Sequence, residues 1–259
     1  MAITRTLFAS QIATLGGISL PVQNISVEST TPRDDVMRLG RLNSAARVQK
    51  EPSTSKATAK FYLVSGSGVG SELTTLMNQW GSGTTSNLVI DGSTLFKGIC
   101  TNIAVDAAVG DFAFLSLTLE GIGTVAMPAI KSTPIDAGAA TFTPITSDQI
   151  SIGGNTVKSV KFSMDLPTDK LSKLGAAIVG LSATADNSDS HLFVGKPPYK
   201  ANIAIDGPDL SSGLSAVTIG SMVITITDGK ETSKSYSNAA GDTAGQYSFT
   251  HDGTNVTFA

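Results

Sequence analysis

Across most of this chain, short apolar segments alternate polar with apolar and then stop at Gly, Asn, Asp or Pro. Val22-Gln-Asn-Ile-Ser-Val27, Phe114-Leu-Ser-Leu-Thr-Leu119, Lys158-Ser-Val-Lys-Phe-Ser163 and Val223-Ile-Thr-Ile-Thr227 all follow this rule. A period of two, rich in β-branched residues, puts every second side chain on one face, as half-buried antiparallel strands require. Asp-Gly pairs at Asp91-Gly92, Asp206-Gly207, Asp228-Gly229 and Asp252-Gly253 supply residues that tolerate the positive φ of tight turns. Helical spacing is sparse. Its best stretch is Ser71 to Trp80, with Leu73, Leu76, Met77 and Trp80 on one face and Ser71 placed as a cap. A weaker one is Lys170-Leu-Ser-Lys-Leu174. The expected class is mainly β.

Composition narrows the function. Of 259 residues, 41% are apolar, enough to bury a core and to argue against wholesale disorder. Only 15% are charged, with a net charge of −3, which is too little and of the wrong sign for an electrostatic nucleic-acid binder. One cysteine permits no internal disulfide and no cysteine-based zinc site. The opening residues Met1 to Pro21 lack a continuous apolar region, because Thr6, Ser10, Gln11 and Thr14 interrupt it, so no signal peptide is expected. The longest apolar runs, such as Gly175 to Leu181, fall short of the roughly 20 residues of a membrane helix. The sequons at Asn24 and Asn255 are expected by chance, since 31 Ser and 30 Thr make up about a quarter of the chain.

The two halves of the chain repeat one another. Gln11-Ile-Ala-Thr-Leu-Gly-Gly17 resembles Gln149-Ile-Ser-Ile-Gly-Gly154, and Val22 to Val27 lies over Val157 to Phe162. In Thr31 to Gly40 and Leu166 to Gly175, Pro32, Asp34, Leu39 and Gly40 recur at a constant offset of 135. Tyr62-Leu-Val-Ser-Gly66 parallels Ile203-Ala-Ile-Asp-Gly207, and both lead toward a stretch with Leu spaced for a helix. Ala107 to Asp111 and Ser116 to Gly121 match Ala239 to Asp242 and Ser248 to Gly253. The expected organisation is a first unit over 1–126, a Pro-containing linker over 127–145 with Pro128 and Pro134, and a second unit over 146–259. One large sandwich with accidental similarity is the alternative.

Chemistry-bearing residues are few. His191 and His251 lie in turn-like surroundings without metal-ligand spacing, and a surface position is expected for them. Cys100, inside the strand pattern Phe96 to Thr101, reads as a small buried hydrophobe. Gly66-Ser-Gly-Val-Gly70 follows a strand, and Asp91 lies some 20 residues on, an echo of a dinucleotide fingerprint. The third glycine position is Ser71, and the second half has no counterpart, so a plain strand-to-helix loop is the better reading. Asp34, Asp35, Asp111 and Glu120 have no second carboxylate at a recognisable spacing. No enzymatic activity, cofactor or metal is expected.

A strand ending in Pro and acidic residues is followed by a basic stretch, Arg33 to Lys60, and the strand Lys60 to Val64. A short helix comes next, then Gly98 to Val105, Gly110-Asp111, Ser116, Gly121 and Gly123. This order resembles the major tail tube proteins of tailed bacteriophages. The resemblance implies two tandem β-sandwich or half-barrel units, each with one short flanking helix. It also implies a structural virion protein assembled in the host cytoplasm into stacked rings. With two units per chain the ring would hold three chains, a pseudo-hexamer, through which viral DNA passes without a membrane step. Partners would be the chain itself and other tail proteins: terminator, baseplate or tip, and tape measure. The basic stretch has no interleaved aromatic platform for single strands, and its charges suit contact with another subunit. Arg41, Arg47, Lys50 and Glu51 are the expected inter-subunit or inter-ring residues, facing the small acidic stretch Ala176 to His191 of the second half. The alternatives are a hexameric tube with the second unit as outer decoration, and a tandem β-sandwich adhesin or carbohydrate-binding module. For the adhesin, the exposed aromatics it would need are not evident.

Overall fold

The structure, a computed structural model, describes residues 5–7, 12–37, 46–63, 69–90, 93–125, 140–142, 149–179, 181, 191–208, 210, 216–239 and 245–259. It is mainly β, as the alternation requires. The first half runs β1 (Arg5–Leu7), β2 (Ile12–Leu15), β3 (Ile18–Thr30), β4 (Arg33–Val36), β5 (Ala46–Gln49) and β6 (Thr54–Tyr62). Then come α1 (Val69–Ser82), β7 (Ser86–Ile90), β8 (Ser93–Ala108) and β9 (Phe114–Ile122). The second half runs β10 (Ala140–Phe142), β11 (Ile150–Ile152), β12 (Asn155–Thr156), β13 (Ser159–Asp165), β14 (Thr168–Ser172) and β15 (His191–Gly195). It ends with β16 (Lys200–Gly207), β17 (Val217–Ile219), β18 (Met222–Ile226), β19 (Lys230–Ser237), β20 (Gln246–Gly253) and β21 (Val256–Phe258).

The main sheet is antiparallel, in the order β19-β20-β16-β13-β8-β7-β2-β3-β6-β9, and β9 returns to pair with β8. That return closes a six-stranded barrel, β8-β7-β2-β3-β6-β9, where a β-sandwich or half-barrel was expected. The 16-residue β8 is the joint. Its first part, residues 93–98, pairs with β7, and its second part, 102–108, pairs with β13. Its other edge carries β9. The second half adds a smaller sheet, β12-β11-β17-β18-β21, and the hairpins β4–β5 and β14–β15 stand outside both sheets.

One contiguous core runs through both halves. It includes Phe61, Ile103, Leu115, Leu117 and Leu119 of the barrel and Phe162, Ile203, Ile205, Val217 and Phe249 of the second half. α1 lies between the two, burying Leu73, Leu76 and Trp80, each worth roughly 1.5–3 kcal/mol of transfer free energy. The Trp80 indole N–H donates to the Pro167 carbonyl at 2.9 Å, and its ring meets Tyr199 edge-on with centroids 5.7 Å apart. Gly195 lies so close that a Cβ there would fall 2.5 Å from the Trp80 carbonyl and 2.8 Å from its ring.

The turns explain two glycine pairs. Gly16-Gly17 at +59° and +92° and Gly153-Gly154 at +53° and +86° link β2 to β3 and β11 to β12. Two consecutive left-handed residues are what a two-residue hairpin needs to match strand twist. None of Gly207, Gly229 and Gly253 has a left-handed φ, so these Asp-Gly pairs do not make the turns expected of them. Gly253 answers to packing instead, since a Cβ there would meet the Ile226 side chain at 2.4 Å. Asp91-Gly92 lies outside the described residues.

Other expectations are corrected. Lys170–Leu174 is not helical; most of it is β14, paired with β15, since five residues cannot repay helix nucleation. Leu171 and Leu174, spaced as a helix face, are both exposed. α1 begins at Val69, so Ser71 lies within its first turn and does not cap it. It is the one helix among the described residues; the corresponding stretch after β16 falls largely outside them. Of the 127–145 linker, residues 140–142 form β10, paired with β1. The overlay of Tyr62–Gly66 on Ile203–Gly207 fails. Tyr62 is on the polar side of β6 while Ile203 is in the core, because an odd shift exchanges the faces of a strand.

Candidate functional site

The charged residues singled out in the sequence sit on the β4–β5 hairpin and the segment after it. Arg47 Nε donates to Asp35 Oδ1 at 2.9 Å, and Lys50 Nζ lies 3.3 Å from Asp34 Oδ2, all four side chains more than half exposed. Glu51 turns the other way, 3.5 Å from Lys170 on β14. Arg41 lies outside the described residues. The second hairpin reaches the first. Gln49 Nε2 donates to the Ile178 carbonyl at 2.7 Å, and Lys170 Nζ donates to the Pro52 carbonyl at 3.4 Å. The two hairpins therefore meet within the chain, through one ion pair, Lys170 with Glu51, and two hydrogen bonds to backbone carbonyls. The exposed pairs inside the first hairpin each contribute about 0–1 kcal/mol. The lysine that closes each hairpin makes matching contacts. Lys50 N donates to the Pro32 carbonyl at 3.2 Å and Lys196 N to the Pro167 carbonyl at 2.8 Å. Lys196 Nζ then lies 3.2 Å from Asp169, the counterpart of the Lys50–Asp34 pair at 3.3 Å. The hairpins also expose Val36, Met37 and Val48 on one and Leu171, Leu174 and Val179 on the other and its following loop. Alternation gave no warning of these, because both faces of such a hairpin are wet.

The face of the main sheet opposite the core is a ladder of opposite charges. Lys56 stands between Glu28 and Glu120, Asp106 faces Lys161, Asp165 faces Lys200, and Lys230 faces Asp252. Lys200 Nζ also reaches Asp252 at 3.4 Å, and Lys60 Nζ lies 4.0 Å above the Phe114 ring. Cross-strand neighbours of opposite sign stabilise a sheet modestly. Here they also leave no run of like charge. Two hollows of about 830 and 480 Å³ open on this face, the second lined by Lys60, Asp106, Phe114, Ser116, Lys161 and Asn202.

Two strand edges border the surface. β19 is outermost among the described residues, with all eight positions exposed. Its start is held by Asp228, whose carboxylate accepts from Thr254 N at 3.0 Å, Asn255 N at 2.8 Å and the Thr254 hydroxyl. The Thr254 hydroxyl above all, with these backbone amides, holds that carboxyl below the ordinary aspartate range. Tyr236 is 56% exposed, and its ring lies tilted against that of Tyr247 with centroids 4.9 Å apart. At the opposite side, β3 pairs with β2 only as far as Pro21; beyond it, β6 is its one strand partner among the described residues.

His191, expected at the surface, is 2% exposed. Its Nδ1 is 3.0 Å from Ser172 Oγ and its Nε2 donates to the Ala177 carbonyl at 2.8 Å, so the ring pins the loop that follows β14. A single sequence has no signal for this, because one partner, Ser172, faces it across the hairpin and the other, Ala177, comes from the long loop between the two strands. His251 lies within β20, not in a turn. Cys100 is buried as expected, and burial pushes its thiol up to about 12. A thiol reagent at about pH 8 should leave the folded chain unmodified and label it fully in denaturant; prompt labelling of the folded protein would show the thiol is reachable. Among the described residues, no three His, Cys, Asp or Glu side chains are grouped to hold a metal ion. No helix among them is long and apolar enough to cross a membrane. No protein-family model matches the chain, and no curated protein compared with it is similar in sequence.

Proposed function

We propose that this chain is a structural wall protein: two copies of one tail-tube-like unit that assemble as rings of three chains. The rings stack into the hollow tail tube of a bacteriophage virion, through which DNA passes. The observation that carries this reading is a repeated strand order whose two ends, β19 and the part of β3 beyond Pro21, have no further strand beside them among the described residues. β3-β6-β9-β8 in the first half and β13-β16-β20-β19 in the second follow the same order, and β8 pairs with β13 to join the two sets.

The registers support the duplication. Asn24, Lys60 and Ser116 form one row across β3, β6 and β9, and Ser159, Asp206 and Ser248 form one row across β13, β16 and β20. The shifts between these rows are 135, 146 and 132 residues. The hairpins give the same shifts independently. Pro32 and Pro167 are 135 apart, as are Asp34 and Asp169, while Lys50 and Lys196 are 146 apart. The units are 1–126 and 146–259, joined by 127–145.

On this reading the charge ladder faces the lumen. Its lysines stand opposite carboxylates or over an aromatic ring, so that face offers passing phosphate no run of cations to bind. Continuity of the sheet through β8 and β13 favours both units lying in the wall over a second unit hung outside it. Electron micrographs of the purified protein should show rings or tubes with six-fold appearance, and native mass spectrometry should give three chains per ring. A chain that stays monomeric at high concentration would overturn the proposal.

A further inference from the structure

We infer that the outer edge of β19 in one copy pairs antiparallel with β3 of the next, Ser233 opposite Thr30 through Ser237 opposite Ser26. This register rests on the tandem-ring reading and is fixed by the joint the chain makes with itself. There the outer edge of β8 takes β13, with Asn102 opposite Asp165 and Asp106 opposite Lys161.

The β19 counterparts of β8 are set by an irregularity rather than by sequence likeness. The pairing of β8 with β9 slips between Cys100 and Asn102, and the pairing of β19 with β20 slips between Glu231 and Ser233. Placing one bulge on the other makes Ser233 the counterpart of Asn102, Tyr236 that of Val105 and Ser237 that of Asp106. Bulges are built into a strand at a fixed position, so they hold register where composition is uninformative. The β13 counterparts lie 135 residues earlier, giving Thr30 for Asp165, Val27 for Phe162 and Ser26 for Lys161.

The two ends are short of what the joint has. At the joint, Val105 and Phe162 face each other and are 1% and 2% exposed. Their counterparts are Tyr236, 56% exposed, and Val27, which is only half-buried. A large residue now stands on β19 and a small one on β3, reversing the sizes found at the joint, so the pair fills a similar space. On the polar face, the opposite charges Asp106 and Lys161, which face each other across the joint, give way to Ser237 and Ser26, so the new contact depends on backbone pairing and Tyr236 burial, not on charge. Among the described residues no strand lies beyond β19, and pairing to a second copy would cover that edge, as exposed sheet edges favour.

The test is cysteine cross-linking in the full chain, with Cys100 buried out of competition. The double variant Ser237→Cys/Ser26→Cys, oxidised after assembly, should give covalent dimers and closed trimers. The shifted variant Ser237→Cys/Val27→Cys should give roughly ten-fold less, because a disulfide needs Cβ atoms about 3.5–4.5 Å apart. Ser235→Cys/Glu28→Cys, two residues along the same face, is the second registered pair if the first folds poorly by circular dichroism. Rings that form while both registered pairs stay uncross-linked, or while the shifted pair links better, overturn the register and leave the ring reading standing. Wild-type protein that never leaves the monomer overturns both.

Discussion

Trp80→Ala should lower the unfolding free energy by about 3–5 kcal/mol, and both halves of the chain should still melt in one transition. The indole sits where the halves meet. It is carried by α1 of the first half, donates to the Pro167 carbonyl of the second, and packs on Tyr199 and the bare backbone of Gly195. Truncation removes the buried ring, opens a cavity between α1 and β15, and leaves the Pro167 carbonyl without that donor. Two domains tied by a linker would behave differently, one melting earlier and the other unchanged. Urea titration followed by far-UV circular dichroism separates the cases. A loss under 1 kcal/mol, or two resolved transitions of which one keeps the wild-type midpoint, would contradict a shared core.

Much of this architecture was legible because alternation is a local signal. Phe114 to Leu119 falls in β9, and all but the first residue of Lys158 to Ser163 and all but the last of Val223 to Thr227 fall in β13 and β18. The recurrence of Pro32 and Asp34 at Pro167 and Asp169 also marked equivalent contacts, since both hairpins use that Pro carbonyl and that carboxylate to hold a lysine. What stayed hidden was non-local. β8 changes partners halfway along, from β7 to β13, and nothing in Ser93 to Ala108 signals the exchange. The misplaced overlay of Tyr62 on Ile203 has a related cause. Hydrophobic strands look alike at several shifts, and the face a residue takes is settled only by its neighbours across the sheet. The candidate site was half legible. Arg47, Lys50 and Glu51 were found as a charged stretch, but their partners Asp35, Asp34 and Lys170 turn them toward their own chain. The edge of β19 drew no attention, because Lys230 to Ser237 is polar on both faces and reads as loop.

That edge is where folding and assembly come apart, and single prolines at Ser235 and Tyr236 should show it. Consecutive residues of an antiparallel strand send their amides to opposite sides. One of these two N–H groups therefore points at β20, and the other points outward to where the next copy would pair. Proline at the inward position removes a ladder bond inside the sheet and should destabilise the chain. Proline at the outward position leaves the β20 ladder intact and is tolerated on an edge. It takes a donor from each joint between copies and puts a ring in the way of the incoming strand. The outward variant should keep the wild-type melting curve while the concentration needed for rings rises by at least about ten-fold, the cost of one lost hydrogen bond with its clash. The inward variant should melt earlier, and any loss of assembly there would follow its loss of fold. If both variants fold and form rings at wild-type concentrations, then β19 is not an assembly edge, and the surface that joins one copy to the next must be sought on the hairpins.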